Sequence, residues 1–360
     1  MKLLTLNSRL LTLAVSAAVA AIAATAAETP YGSAADVVNS ASGLAFCGGK
    51  TLLATTGSSA TPKKGEKERA LIVYSLEKPA RPVEVGRLAL DGAPFPQGIA
   101  VADDRAFVVD GLNLWCVDVA DVAKMSVVSK TAISDAGETG PRAVVLEPDG
   151  RTAYLACGRA GVRAYDVSNP AAPRALWDCP TSFSRDVALF DGGVASAEEL
   201  SGVALVRDGK LVDRLKLPRD GAVSLRADGR RLFVANGTQL LAVVGLDDAG
   251  KLKVVASQGG AARPLFGTYS YFALPVRNAV PFGASVYVLD GESGIFEVGV
   301  DGRGCHVRRS SGRLPYPVTK AAVARDGWLY VSCSGVDGPT RLLAFDLLAS
   351  DLRPVAEAKF

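Results

Sequence analysis

The sequence predicts an all-β fold, a seven-bladed β-propeller of four-stranded antiparallel blades spanning residues 43–360. Three observations predict it. Short runs rich in Val, Leu, Ala, Tyr and Phe follow one another roughly every 8 to 12 residues after position 40, without helical periodicity. Tight-turn dipeptides separate them: Asp-Gly occurs eleven times, at Asp91, Asp110, Asp149, Asp191, Asp208, Asp220, Asp228, Asp290, Asp301, Asp326 and Asp337, and Asn236-Gly237 adds one more. Such dipeptides supply the positive φ angles of two-residue hairpins. The hairpins then recur as a unit of four strands, about 45 residues long, which is a propeller period.

The second strand of that unit recurs in order as TLLAT (from Thr51), AFVVD (Ala106), AYLAC (Ala153), VASAE (Val194), LFVAN (Leu232), VYVLD (Val286) and LYVSC (Leu329). The third recurs as LIVYSL (Leu71), LWCVDV (Leu114), VRAYDV (Val162), VALVRD (Val203), LLAVVG (Leu240), IFEVGV (Ile295) and LLAFDL (Leu342). A small four-stranded sheet buries both faces only when stacked between two neighbours, so these strands read as continuous apolar runs. A β-sandwich or two small β-domains would not explain seven aligned units. Pro79, Pro82, Pro170, Pro173 and Pro354 introduce the outermost strand of a blade. There a missing N–H is tolerated and edge-to-edge pairing is discouraged.

Residues 1–27 read as a signal peptide and 28–42 as a lead-in to the propeller. Lys2 and Arg9 precede an uncharged stretch from Leu10 to Ala24, and the small residues Ala24-Thr25-Ala26-Ala27 follow. This is the pattern of export followed by cleavage after Ala26 or Ala27, and the apolar core is too short for an ordinary membrane span. An uncleaved N-terminal anchor is the alternative, and the flanking composition fits it less well. The expected location is the periplasm, the cell surface or outside the cell, with no stable membrane insertion once the leader is removed.

Removing Lys2 and Arg9 from the 40 basic residues leaves 38 against 37 acidic ones. A chain so near neutrality projects no global field toward nucleic acid or a membrane surface, and no nucleic-acid partner is expected. The single histidine, His306, lies in GRGCHVRRSSG, a turn leading into an outer strand. One imidazole cannot build the usual zinc, copper or non-haem iron sites, so no metal or other cofactor is expected. The six cysteines, Cys47, Cys116, Cys157, Cys179, Cys305 and Cys333, include no C-x-x-C pair. Export permits disulfides, yet Cys157 and Cys333 hold the same position in blades three and seven. The ring therefore separates them beyond disulfide reach.

The segment GVRAYDVSNPAAPRALWD (Gly161 to Asp178), followed by RDVALFDGGVASA (Arg185 to Ala197), resembles the LVIVD repeat family. LIVYSLEKPARPVEVG (Leu71 to Gly86) is a second match, and PQGIAVADDRAFVVDG with LWCVDVADVAKMSVVS is a third. The resemblance covers about residues 70–200. It implies an exported or surface β-propeller, and it implies no particular activity.

Function is expected at one mouth of the central channel. The first strand of each blade lines the channel, so the residue that opens it stands on the rim. Counting back from the second strand places Gln97, Arg142, Arg185, Arg277 and Lys320 at that level, spaced by 45, 43, 92 and 43 residues. The 92 is two repeats, because Gly221 to Val223 of blade five bring no charge, and blade one offers Gly43. Like charges gathered in a confined space invite an anion, and Arg presents a planar fork to carboxylate, sulfate or phosphate. Phe183, Tyr271 and Tyr316, with Phe95, add apolar or sugar-stacking surface. The competing reading pairs each base with a local acid such as Asp186.

The reading favoured is a non-catalytic propeller that binds an anionic small molecule, a glycan or a protein partner. The alternative is a propeller-type hydrolase or lyase of the lactonase or glycosidase class. Its carboxylates would come from Glu198, Glu199, Asp290 and Glu292 on the second-to-third-strand loops, which otherwise read as exposed hairpin residues. Two further segments stand out as long loops: the basic GSSATPKKGEKER of blade one, and Gln258 to Asn278 before blade six.

Overall fold

Each of the seven repeats folds as one antiparallel sheet whose four strands follow in chain order. The computed structural model describes residues 43–56, 69–94, 96–133, 140–217, 221–237, 240–259, 276–291, 293–314, 318–333 and 341–359. The leader, the lead-in and the GSSATPKKGEKER loop, apart from its last residue Arg69, lie outside these residues. Among the described residues there is no helix.

Blade one holds β1 (Leu44–Cys47), β2 (Thr51–Thr55), β3 (Ala70–Ser75) and β4 (Val83–Ala89). Blade two holds β5 (Ile99–Ala102), β6 (Arg105–Val109), β7 (Asn113–Asp118) and β8 (Ser126–Ala132). Blade three holds β9 (Ala143–Leu146), β10 (Thr152–Ala156), β11 (Val162–Asp166) and β12 (Arg174–Cys179). Blade four holds β13 (Asp186–Phe190), β14 (Gly193–Ala197), β15 (Val203–Arg207) and β16 (Lys210–Leu215). Blade five holds β17 (Ala222–Asp228), β18 (Arg231–Asn236), β19 (Leu241–Leu246) and β20 (Leu252–Gln258). Blade six holds β21 (Val276–Phe282), β22 (Ser285–Asp290), β23 (Gly294–Asp301) and β24 (Gly304–Ser310). Blade seven holds β25 (Val318–Arg325), β26 (Trp328–Cys333), β27 (Arg341–Asp346) and β28 (Pro354–Lys359).

The inner strands touch in sequence around the ring, and β25 meets β1 to close it. The core is correspondingly divided into seven clusters, one between each pair of neighbouring blades. Leu53 and Val73 of blade one pack with Val108 and Trp115 of blade two, for example. This is why the second and third strands are mostly apolar: both faces are covered. The fourth strands, with one edge in solvent, expose residues such as Val83, Leu176 and Val355.

Two local devices repeat. In every blade a β-bulge interrupts the pairing of the third and fourth strands, from Val73/Tyr74 in the first to Ala344/Phe345 in the last. A bulge steepens twist, which turns the outermost strand across its blade. The Asp-Gly turns behave as expected at Asp191–Gly192, Asp208–Gly209 and Asp326–Gly327, where both residues have positive φ. Pro82 and Pro173 stand directly before β4 and β12, and Pro354 opens β28. His306 lies on β24, an outer strand, as the sequence suggested.

Candidate functional site: a basic rim at the channel mouth

The register places three of the expected rim residues, Gln97, Arg142 and Arg185, at one level. The backbone N–H groups of Gln97, Arg142 and Arg185 donate to the carbonyls of Val109, Ala156 and Ala197, the same position in three successive second strands. Arg277 and Lys320 lie on β21 and β25. There, unlike in blades two to four, the pairing with the second strand is broken by an irregularity between Val276 and Asn278, and between Val318 and Ala322. Only the backbones of Arg277 and Lys320 are described. Tyr271, Tyr316 and Phe95 lie outside the described residues.

Two of the expected bases and one expected aromatic come together. The guanidinium carbon of Arg142 lies 5.3 Å from the centroid of the Phe183 ring, and that of Arg185 lies 6.0 Å from it. Both distances are within the range in which a ring quadrupole attracts a cation. Backbone contacts between blades hold this geometry. Gly158, on the loop after β10, exchanges two hydrogen bonds of 2.9 Å with Ser184, which fixes the segment carrying Phe183 and Arg185. Gly111 donates to the Pro141 carbonyl at 3.0 Å, directly before Arg142. The neighbouring Gly140 allows this approach, because a Cβ there would overlap the Gly111 carbonyl.

Arg185 has an acid beside it, but not Asp186. Its Nε lies 3.5 Å from Glu199 Oε1, and the two side chains are only 16% and 17% exposed. Glu199 sits on the loop after β14 with φ +46°, in the left-handed region. Among the described residues, the other four non-glycine residues in that region are all Asp, in tight turns. Its backbone exchanges two hydrogen bonds of 2.9 Å with Ala222 at the start of β17. Asp186, one residue along the strand from Arg185, is buried and turns toward blade five. It accepts from Ser224 Oγ at 2.6 Å, the Leu225 N–H at 3.2 Å and Arg226 at 2.9 Å. Ser224, a polar residue interrupting the apolar run of AVSLR, is the sequence signal for this buried contact.

The loop carboxylates correct an expectation. Glu198 and Asp290 read as exposed hairpin residues, yet they are 1% and 4% exposed. Glu198 accepts from Arg214 Nε at 3.0 Å and from the Ser182 N–H at 3.3 Å. Asp290 accepts the Ser293 N–H at 2.9 Å. Asp110 holds the same position in blade two and accepts from the N–H groups of Leu112 and Asn113 and from Trp115 Nε1. These carboxylates turn inward because the loop after a second strand leaves N–H groups that need acceptors. Glu292 is outside the described residues. The opposite end of the inner strands carries a cleft lined by Ala100 to Asp103 and by Val145 to Gly150. Its acids are Asp103, Glu147 and Asp149, with Glu147 bonded to the Tyr154 hydroxyl at 2.8 Å.

The architecture and this rim define a seven-bladed β-propeller with a cationic and aromatic cluster at one channel mouth. Solved structures agree on the fold. The chain is similar to the β-propeller domain of Cps50 (Swd1) from Myceliophteria thermophila, at 11% identity and a TM-score of 0.62, covering 82% of this chain and 94% of that one. It is also similar to the computationally designed Ika8 protein, at 12% identity and a TM-score of 0.56, covering 84% and 96%. Identities this low speak for the fold alone. No protein-family model matches the chain, and no curated protein matches it.

Proposed function

We propose that this chain is an exported propeller that binds an anionic group, on a small molecule, a glycan or a partner protein, at the rim formed by Arg142, Phe183 and Arg185. One observation carries the reading: two guanidinium groups from neighbouring blades stand within 6.0 Å of a single aromatic ring at the mouth of the channel. Glu199, 3.5 Å from Arg185, offsets one of the two charges, and the remaining net positive charge of the cluster favours an anion. Phe183 supplies the apolar surface that a bare phosphate site lacks. Gln97 stands at the same level of the ring, and Arg277 and Lys320, on β21 and β25, are the bases by which the reading would extend to further blades. The basic, apolar and small-residue pattern of residues 1–27 supports export. The motif resemblance to LVIVD repeats supports the same location.

Binding to the folded state raises stability by mass action. At constant ionic strength a carboxylate ligand therefore raises the melting temperature of the purified protein, and Arg142→Ala with Arg185→Ala removes the rise. A rise that survives in the double variant would place binding elsewhere and end this assignment.

A further inference from the structure

We propose that the cleft at the channel end opposite the basic rim binds a small aliphatic primary amine in its ammonium form, with Glu147 receiving the charge. The cleft shares no residue with the rim. Six of the seven inner hairpins turn in two or three residues, whereas in blade three five residues, Glu147 to Arg151, join β9 to β10. This longer turn leans on blade two: a Cβ at Gly150, whose φ is +68°, would come 2.9 Å from the Ala102 Cβ. Between the two hairpins lies a cleft of about 450 Å³, within the size range of small-molecule sites. Its walls are apolar, from Val101, Ala102, Val145, Leu146 and Pro148, and its charged residues are Asp103, Glu147 and Asp149. No Lys or Arg lines it.

One of these carboxylates is held in place. The Tyr154 hydroxyl donates to Glu147 Oε1 at 2.8 Å, and the Tyr154 ring rests on Trp177, 5.6 Å away between centroids. Trp177 in turn fills the space that Gly209 of blade four leaves, where a Cβ would come 3.1 Å from the indole Cγ. The second oxygen of Glu147, Oε2, has no protein partner among the described residues. Asp149 Oδ1 accepts the Arg151 N–H at 2.9 Å, which fixes the turn. Among the described residues none of the three acids is paired with a base, and Arg151, in the same turn, is exposed and outside the cleft wall. Carboxylates without a counter-charge favour a cation, and apolar walls favour one that carries a hydrocarbon chain. A metal ion needs several converging ligands, and among the described residues no group of three or more His, Cys, Asp or Glu is placed to hold one. A primary ammonium needs one oriented carboxylate oxygen and a surface for its methylenes. The cleft supplies both.

The full chain is titrated by calorimetry with hexylamine, methylamine and hexanol at constant ionic strength. Hexylamine binds more tightly than either, because methylamine lacks the chain and hexanol lacks the charge; each methylene buried strengthens binding about fourfold. Glu147→Gln keeps the oxygen that Tyr154 meets and weakens hexylamine about fivefold, taking water-like screening at contact distance. Asp149→Asn keeps the oxygen that Arg151 meets, and it also weakens hexylamine, which serves where the Gln variant is poorly folded. Arg142→Ala with Arg185→Ala alters the rim alone and leaves hexylamine binding unchanged. Hexanol that binds as tightly as hexylamine, or a hexylamine affinity unchanged by both cleft variants, overturns the assignment. Calcium that displaces hexylamine would overturn it too, in favour of a metal site, and hexylamine binding lost in the rim variant would place the amine outside the cleft.

Discussion

The hydroxyl of Tyr330, in the last blade, donates a hydrogen bond of 3.1 Å to the backbone carbonyl of Pro79, in the first. The two blades are built entirely from opposite ends of the described chain, β1 to β4 and β25 to β28, with no strand exchanged between them. Closure of the ring thus depends on side chains. Tyr330 also meets Phe46 edge-on at 6.1 Å, and Arg325 lies over the Phe46 ring at 4.0 Å while reaching the Gly48 carbonyl.

Tyr330→Phe keeps the packing and removes one neutral hydrogen bond, a loss of about 0.5–1.5 kcal/mol in urea unfolding. Arg325→Ala removes the ring contact and the carbonyl contact together, so it costs more than Tyr330→Phe. Combined, the two variants fall short of additivity, since both act on the same seam. A Tyr330→Phe variant as stable as the wild type would show that the seam is held by the apolar cluster alone.

Asp110 concentrates several bonds on one buried carboxylate, including Trp115 Nε1 at 2.7 Å. Asp110→Ala leaves the indole N–H and two backbone N–H groups without their acceptor. The expected cost is about 2–4 kcal/mol, read by unfolding and by a change in tryptophan emission.

The blade count was legible because turn chemistry and burial on both faces act locally and repeat. The level of Gln97, Arg142 and Arg185 was legible for the same reason, since strand register counts in whole residues. The partner of Arg185 was not. Sequence proximity favoured Asp186, but neighbours on a strand point to opposite faces, so Asp186 turns to Ser224 and Arg226 while Arg185 finds Glu199 on the adjoining loop. Nor did the inward turn of Glu198 and Asp290 show, because only the folded loop reveals which N–H groups need an acceptor.

Glu297 gives the protein an acid-sensitive seam between blades six and seven. Burial alone would raise its carboxyl, yet hydrogen bonds from Ser285 and Arg309 and the charges of Arg309 and Arg308 hold it below the ordinary value of 4.5. Arg309 in turn donates to the Leu347 carbonyl at 2.7 Å across the seam. A depressed folded value means stability that is fully present above pH 4.5 and is lost as pH falls through the folded value. As pH falls below 4.5 and through the depressed folded value, the wild type therefore loses more stability than Glu297→Gln. Parallel pH profiles for the two proteins would remove Glu297 from the acid response.

Burial pushes the Cys116 thiol up to about 11 and the Cys157 thiol up to about 12. Thiolate, the reactive form, is then scarce at neutral pH. In the folded protein both resist alkylation at pH 8 and react once the chain is unfolded. Cys157 is not bonded to Cys333, in keeping with their places in blades three and seven. A non-reducing peptide map that recovers a Cys157–Cys333 link would contradict the ring arrangement itself.

Gly98 connects backbone packing to the binding rim. A Cβ at this position would come 2.7 Å from the Ala143 Cα and 3.1 Å from the Arg142 carbonyl oxygen, both on the neighbouring blade. Gly98→Ala must push that backbone aside, at a cost of about 1–3 kcal/mol for an overpacked contact. The atoms it moves belong to the segment that aims Arg142 at Phe183, so carboxylate binding weakens together with stability. A control separates the two effects: Gly86→Ala, on the outer strand β4 and remote from the rim, would clash with the Val122 carbonyl in the turn before β8. It is expected to cost stability and to leave the carboxylate affinity of the folded protein unchanged. If Gly98→Ala destabilises the protein yet binds a carboxylate as the wild type does, the position of Arg142 does not govern binding and the rim must be held by Arg185 and its neighbours.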